Sequence, residues 1–338
     1  MKKLSALIIG ETPYLSHLRN GQNQVLPMTH MDALCSCSHF TWIGSSSSNL
    51  DRVYVNFDEN RLNQDAVSPL SNALTDLDLA VILTRPQDRL EIVQQLIGVR
   101  CIVIEPPLGL SLTESEAFLA FCASNNIRVV VSSTWRSEPL LQSLAMTGIE
   151  ERIGKIFGGA GTFGDGLWHS GTLWIDLARH LLGDIEMVQA LGDAKHAEDA
   201  SVRDDQFSPF AQFAPFALTI NSSSQARQFV LTSVPQDLCH ARSELYLWGE
   251  MAGLNLVFNE NEIRLLVANA DGSIGQPETF ATSVTLGAFY NSVAQAIAGV
   301  SDVSAATFCE GADMLFAERV VEAILDSADQ NGERYYFG

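Results

Sequence analysis

Positive charge is scarce in this chain. Lysine and arginine together number 20 against 40 aspartates and glutamates, and lysine occurs only at Lys2, Lys3, Lys155 and Lys195. A formal net charge of −20 sets up a field that repels phosphate backbones, so nucleic acid is excluded as a natural partner and a soluble acidic surface is expected. Charged residues of both signs are 18% of the sequence, below the roughly 25% of an average globular chain. Hydrophobic residues reach 46%, enough to build sizeable cores and to argue against extended disorder.

Long hydrophobic runs are missing too. No stretch approaches the roughly 18 apolar residues of a membrane span, so no membrane partner is expected. Two lysines precede the short run Leu4–Ile9, but Glu11 and Pro13 follow without a small-residue cleavage site. That run is read as a buried first strand, and the protein is expected to be cytoplasmic. The six cysteines are scattered. Cys35 and Cys37 make a C-x-C pair, but no second pair completes a zinc-type set, so the expectation is free thiols and no metal site. No internal repeat is seen, and 45–48 is the one low-complexity tract, four serines.

What is present is an alternation of strand-like and helix-like segments over the first 135 residues. Apolar runs at Leu4–Ile9, 40–43, 79–83, 101–104 and 129–131 are separated by helical patterns at 87–97 and 113–125, the latter with Thr113 and Glu116 spaced as a capping box. Near-continuous apolar strands suit a parallel sheet covered on both faces. After Pro139 a short helix over 140–146 leads into strand-like stretches at Ile156–Phe163, 187–191, 216–220, 229–234, 245–248 and 254–258, with turn residues between them. Residues 193–212 read as a long loop, and helices over 286–297 and 308–327 close the chain. The expected fold class is α/β, an N-terminal Rossmann-type doubly wound parallel sheet. It is followed by a C-terminal α+β domain with a large, mostly antiparallel open sheet. The domains are placed at 1–135 and 136–338, with the last helices allowed to pack back on the first.

A dinucleotide fold wants a glycine-rich turn after the first strand. Here the turn reads Gly10-Glu11-Thr12-Pro13-Tyr14-Leu15, in which only the first glycine of G-x-G-x-x-G remains and Thr12 stands where the backbone should approach a pyrophosphate. The second strand ends at Gly44 and Ser45 with no carboxylate for ribose hydroxyls. Ser45 and Ser46, with Arg52 nearby, can instead hold a 2′-phosphate, which favours NADP over NAD. A plain strand-to-loop turn and a serine loop are the alternative readings of these two places.

Longer segments carry a resemblance. The segment 75–86, TDLDLAVILTRP, resembles the fourth strand and turn of Gfo/Idh/MocA oxidoreductases, where a T-P-P-type turn lies beside the nicotinamide. The segment 104–108, IEPPL, is similar to their E-K-P-L segment, and 133–139, STWRSEP, to the stretch that leaves the Rossmann domain. The segment 169–183, HSGTLWIDLARHLLG, resembles their D-x-G-x-H helix register for register, and 320–324 with Ser327 resembles their closing helix. The resemblance spans nearly the whole chain. It implies that Gly10, Thr12, Ser45, Ser46, Arg52, Thr84, Arg85, Pro86 and Glu105 are candidates for holding a nicotinamide dinucleotide. It also implies that Arg136, Trp168 and Asp176 face a small-molecule substrate, and that the C-terminal sheet pairs copies into a homodimer or homotetramer.

The departures from that pattern bear on chemistry. The catalytic lysine of the family falls at Pro106, and its Asp and His fall at His169 and Leu173. His169 is the remaining candidate general acid or base, since imidazole titrates near neutral pH. Its other reading is a histidine bonded to a nearby loop. Arg136 binds a substrate carboxylate or phosphate, or else forms an ion pair between domains. The expected activity is reduction of an imine or carbonyl of a small metabolite by an atypical NAD(P)-dependent oxidoreductase. An imine suits the missing lysine because its nitrogen can be protonated before hydride arrives. The alternatives are a catalytically inactive member that acts as a ligand-sensing regulator or partner subunit, and a lost cofactor site that takes a new ligand.

Overall fold

The computed structural model describes residues 3–10, 29–46, 77–96, 98–164, 166–193, 215–222, 225–233, 243–258, 262–269, 275–281, 285–299 and 308–338, with short pieces at 53–54, 57–58, 61–62, 67–68, 195–196, 212–213, 271 and 273. Thr12 and Arg52 lie outside the described residues, as do 11–28 and the serines at 47–48. The chain divides into two compact units, the first of 1–137 and 283–315, the second of 138–282 and 316–338.

In the first unit the apolar runs become β1 (Leu4–Ile9), β2 (Phe40–Ser46), β3 (Leu79–Ile82), β4 (Cys101–Ile104) and β5 (Arg128–Val131). Every residue of β3 and β4 is buried, as a strand covered on both faces requires. All neighbouring pairs among these five are parallel, in the order β5-β4-β3-β1-β2. Among the described residues this sheet has eight strands. Val53–Tyr54 and Val67–Ser68 extend it beyond β2, and Cys309–Glu310 lies antiparallel to β5. The helix expected over 308–327 therefore starts later, because the backbone of 309–310 is taken up by strand pairing with Val130 and Val131.

Helices α1 (His30–Ser36), α2 (Pro86–Gln95) and α3 (Leu112–Ser124) belong to this unit. The cap of α3 is Ser111 rather than Thr113: its side chain accepts the Glu114 N–H, and Glu114 in turn accepts the Leu110 N–H. Ser111-x-x-Glu114 has the same spacing as Thr113-x-x-Glu116, so the pattern alone did not choose between them. The α1 helix was not expected at all. It has a true capping box, with Thr29 and Asp32 each bonded to the other's backbone. Its Ala33 and Leu34 join a core with Ala6, Ile8, Phe289 and Val293, the last two from a helix of residues 285–297. Fully burying such apolar side chains contributes roughly 1.5–3 kcal/mol each.

In the second unit α4 (Pro139–Thr147) and α5 (Ile149–Ile153) precede β6 (Ile156–Phe163), and α6 (Thr172–Leu182) precedes β7 (Asp184–Ala190). Then come β8 (Pro215–Ser222), β9 (Gln225–Ser233), β10 (Ser243–Gly249), β11 (Ala252–Phe258), β12 (Glu262–Asn269) and β13 (Glu278–Ala281). They form a sheet in the order β13-β12-β11-β10-β6-β9-β8-β7, closed by Tyr335–Tyr336, nine strands among the described residues. Every pairing is antiparallel except that of β6 with β9. Trp174 on α6 anchors the core of this unit, stacked 5.9 Å from Phe163 and edge-on to Phe258 at 5.0 Å. Within the expected loop of 193–212, Lys195–His196 pairs with Gln212–Phe213. The final helices are α7 (Thr285–Ile297) and α8 (Gly311–Asp329). No helix among the described residues is long and apolar enough to cross a membrane.

Candidate functional site

The strand order of the first unit reverses between β1 and β3, since the chain leaves β1 for β2 on one side and returns to β3 on the other. In open α/β sheets the crevice at the carboxyl ends of such a pair of strands is where ligands bind. Gly10 ends β1 at this point with φ +102°, a conformation that disfavours any residue with a side chain. A Cβ there would stand 2.6 Å from the Leu83 carbonyl oxygen and 2.8 Å from the Thr84 methyl. Its N–H donates to the Ser46 carbonyl (2.9 Å), and the Leu83 N–H donates to the Ile9 carbonyl (2.7 Å). The ends of β1, β2 and β3 are thereby tied together, with Gly10 as the one backbone that fits between them.

Three turns border the crevice. After β3, Thr84 and Arg85 lead into α2, whose first residue is Pro86; proline suits that place because its missing N–H would have no helical partner. Arg85 bonds Asp88 through Nε at 3.3 Å. The Thr84 hydroxyl is buried without a hydrogen-bond partner. After β4 comes Glu105 and then the cis peptide Pro106–Pro107. After β5 the Ser133 hydroxyl is also buried without a partner. Such orphaned groups cost free energy unless something bonds them, so these two, at the carboxyl ends of β3 and β5 with β4 between, fit a polar ligand. Ser45 is half-buried and Ser46 buried at the end of β2.

Sequence reasoning missed three residues here. Arg89 on α2 is 3% exposed. Its guanidinium donates to the Thr84 carbonyl (3.1 and 3.3 Å), to the Pro107 carbonyl, and to the Leu108 carbonyl at 3.5 Å. It clamps the turn after β3 to the turn after β4. His30 and Tyr290 are the other two. His30 Nδ1 lies 2.6 Å from the Tyr290 hydroxyl, and its Nε2 lies 3.5 Å from Glu105 Oε1. Tyr290 is fully buried, and that burial, with Glu105 as the next contribution, pushes its phenol well above the ordinary value. No motif marks these residues. The one available signal was a histidine inside the Thr29-x-x-Asp32 capping pattern, directly after Thr29.

Arg136 sits in a 3-10 turn, Thr134–Ser137, and is buried against Asp313 with a contact of 3.4 Å. Both residues belong to the first unit, so the pair is internal to it rather than between domains. In the second unit His169 is exposed on a π-helical turn, Gly166–Gly171, that runs directly into α6. Single π-turns cost regular helix bonding and recur at functional sites. The imidazole is 3.5 Å from the Ser170 hydroxyl, and Thr172 locks the turn by donating to the His169 carbonyl at 2.8 Å. Trp168, on the same turn, and Asp176, on α6, are buried. His180 is half-buried near the end of α6. Among the described residues no group of three or more His, Cys, Asp or Glu could hold a metal ion.

No protein-family model matches the chain, and no curated protein does. Solved structures do. A putative NADPH-dependent oxidoreductase from Desulfitobacterium hafniense superposes with a TM-score of 0.73 at 13% identity, over 99% of this chain and 98% of that one. This is the fold of the Gfo/Idh/MocA oxidoreductases. An inositol dehydrogenase homologue from Azotobacter vinelandii, complexed with NADH and myo-inositol, matches at 0.70 and 14% identity, over 99% and 98%. The super-repressor mutant of Gal80p from Saccharomyces cerevisiae matches at 0.71 and 13% identity, over 99% and 97%. The fold class expected from the sequence is thus the one observed, and the resemblance to Gfo/Idh/MocA proteins holds at the level of the fold.

Proposed function

We propose that the chain is an NAD(P)-dependent oxidoreductase with an atypical active site that reduces an imine or a carbonyl of a small metabolite. The observation that carries this reading is Gly10 at the switch point, pressed against Leu83 and Thr84, with the orphaned hydroxyl of Thr84 in the turn beside it. A dinucleotide fits this place: Gly10 lets the ends of β1 and β3 close up at the switch point, and the unsatisfied Thr84 hydroxyl is there to bond a polar group of the cofactor. Gly10, Ser45, Ser46, Thr84 and Glu105 would hold the cofactor. NADP is favoured, because β2 ends in serines and no carboxylate stands there to meet a 2′-phosphate. When bound, a nicotinamide supplies hydride. The chain's own share is to place the substrate carbon, exclude water and provide the proton.

His169 is one proton donor in this reading, exposed on its π-turn; Arg136, Trp168 and Asp176 orient the substrate. The protein works in the cytoplasm on a soluble small molecule, as a homo-oligomer paired through the second unit's sheet. A second reading rests on the loss of the lysine at Pro106 and of the histidine at Leu173, together with the likeness to a repressor: a ligand-sensing regulator that binds the dinucleotide without turnover.

Fluorescence titration with NADPH and NADH tests the first reading. Binding of NADPH below millimolar concentration is expected, tighter than NADH. Binding of neither sinks it. Turnover of a panel of cyclic imines and ketones with NADPH then separates enzyme from regulator. His169→Ala at unchanged turnover removes that residue from the chemistry.

A further inference from the structure

We propose that a recess at the amino ends of β4 and β5, lined by Arg100 and Arg128, binds a small organic dianion, a phosphate monoester or a dicarboxylate. It lies at the end of the first unit's sheet opposite the crevice and does not depend on the oxidoreductase reading.

Strand pairing builds the place. β4 begins at Cys101 and β5 at Arg128, and these two residues are partners in the parallel ladder. The Arg128 N–H donates to the Arg100 carbonyl at 3.0 Å, so the two arginines enter the sheet side by side. A left-handed residue precedes each strand, Gly98 with φ +102° before β4 and Asn126 with φ +56° before β5. The end of α7, at Ile297, completes the wall. The recess has a volume of about 330 Å³, at the small end of the roughly 300–1,000 Å³ of ligand sites. No aspartate or glutamate is among its lining residues, in a chain with 40 acidic residues to 20 basic ones.

Both guanidiniums are held in place and keep donors to spare. Arg128 grips Glu310 through Nε, at 3.0 Å, and through Nη2, and its central carbon stands 5.1 Å from the centre of the Phe308 ring. Its Nη1 is left with both hydrogens unspent among the described residues. Arg100 spends Nη1 on Asp78, at 3.0 Å, and Nη2 on the Ile297 carbonyl, which leaves Nε. The side chains of Arg100 and Arg128 are 53% and 37% exposed, so a ligand from solvent can reach them. Planar guanidinium donors match the oxygens of carboxylates and phosphates.

The rest of the lining suits the same ligand. Asn126 is exposed on the rim. Both guanidiniums act on the Cys101 thiol, which burial pushes up to about 12, so the thiol adds no negative charge. Val99 and Ile297 give an apolar wall for a carbon skeleton, which favours an organic anion over a bare one. Ion pairs as exposed as these add little stability. Their effect here is to orient two sets of donors, and because Asp78 and Glu310 balance the charge, affinity rests on directed hydrogen bonds.

Isothermal calorimetry with glycerol 3-phosphate and with succinate tests the site, in buffers matched in ionic strength with chloride. Saturable binding of at least one probe at about 1 mM or tighter is expected in wild type. The tighter of the two names the ligand class. Asn126→Asp brings a like charge to the rim in a backbone conformation that aspartate also adopts, so the fold is kept. It is expected to weaken binding at least about fivefold. Arg128→Gln and Arg100→Gln are each expected to weaken it at least about tenfold, as loss of a charged donor does. NADPH affinity in all three variants is expected to match wild type, since the crevice lies at the other end of the strands. Binding of neither probe overturns the proposal. Binding that survives Asn126→Asp and Arg100→Gln places the ligand elsewhere on the protein and overturns it as well.

Discussion

Replacing Arg89 with methionine keeps an apolar stem of similar length and removes the guanidinium that joins two turns. Its bonds to the Thr84 and Pro107 carbonyls are charge-assisted, and the third, to Leu108, is at the limit of hydrogen-bond length. Hydrogen bonds to a charged group contribute about 1.5–3 kcal/mol each, so the two good ones sum to roughly 3–6 kcal/mol. Methionine spares the protein the cost of burying a charge, which returns part of that sum. The net loss is then on the order of 3 kcal/mol, felt at the turns themselves. It is best read locally, because a chain of two units need not unfold in one step. Hydrogen exchange followed by mass spectrometry on peptides covering 83–90 and 104–109 is the assay. A loss of about 3 kcal/mol appears as roughly 100-fold faster exchange in those peptides, with little change in the second unit. NADPH affinity should fall at least tenfold, since Thr84 and Glu105 lose their fixed spacing. Arg89→Lys, a point charge without the fork, should recover only part of either effect. Exchange within threefold of wild type, with unchanged NADPH binding, would refute the clamp.

Three further outcomes are expected. Gly10→Ala forces a side chain into φ +102° and against Leu83 oxygen, which costs about 1–3 kcal/mol in backbone strain before the clash is counted; calorimetry should show a lower Tm and titration a loss of NADPH binding, and a variant that binds normally contradicts the crevice. Burial raises the Cys101 thiol from 9.0 to about 12, so its contribution to stability is complete below pH 9 and is lost as pH rises through 12. Between pH 8 and pH 10.5 that loss is about 2 kcal/mol, so urea unfolding of wild type and Cys101→Ala should converge by this amount; a constant difference contradicts the assignment. On the second unit's sheet Trp248 is 44% exposed, packed edge-on against Tyr246, with Val230 on the same face. Light scattering after size exclusion should find the wild type as a dimer or tetramer and Trp248→Glu as a monomer, and a monomeric wild type rules out pairing through this face.

The strands of the first unit were legible in the sequence because each is a short run that must be apolar on both faces; the structure moves their ends by one to three residues, most at β2, which runs on to Ser46. Helix α1 was not legible, since seven residues give too few turns for a periodic signal. The start of α3 was misplaced because Ser111 and Thr113 offer the same cap spacing, and only packing decides between them.

The sequence alone determined the layered α/β plan, the surviving Gly10, and the absence of a lysine at Pro106. These follow from periodicity, from residue type and from the order of motifs, all of which are local. The tertiary structure decided which groups meet at the crevice. Tyr290 lies 260 residues from His30 in sequence, and Arg89 lies 18 from Pro107. Neither separation carries a pattern, because these contacts arise only when the strand order brings α1, β4 and α7 together and places α2 beside the turn after β4.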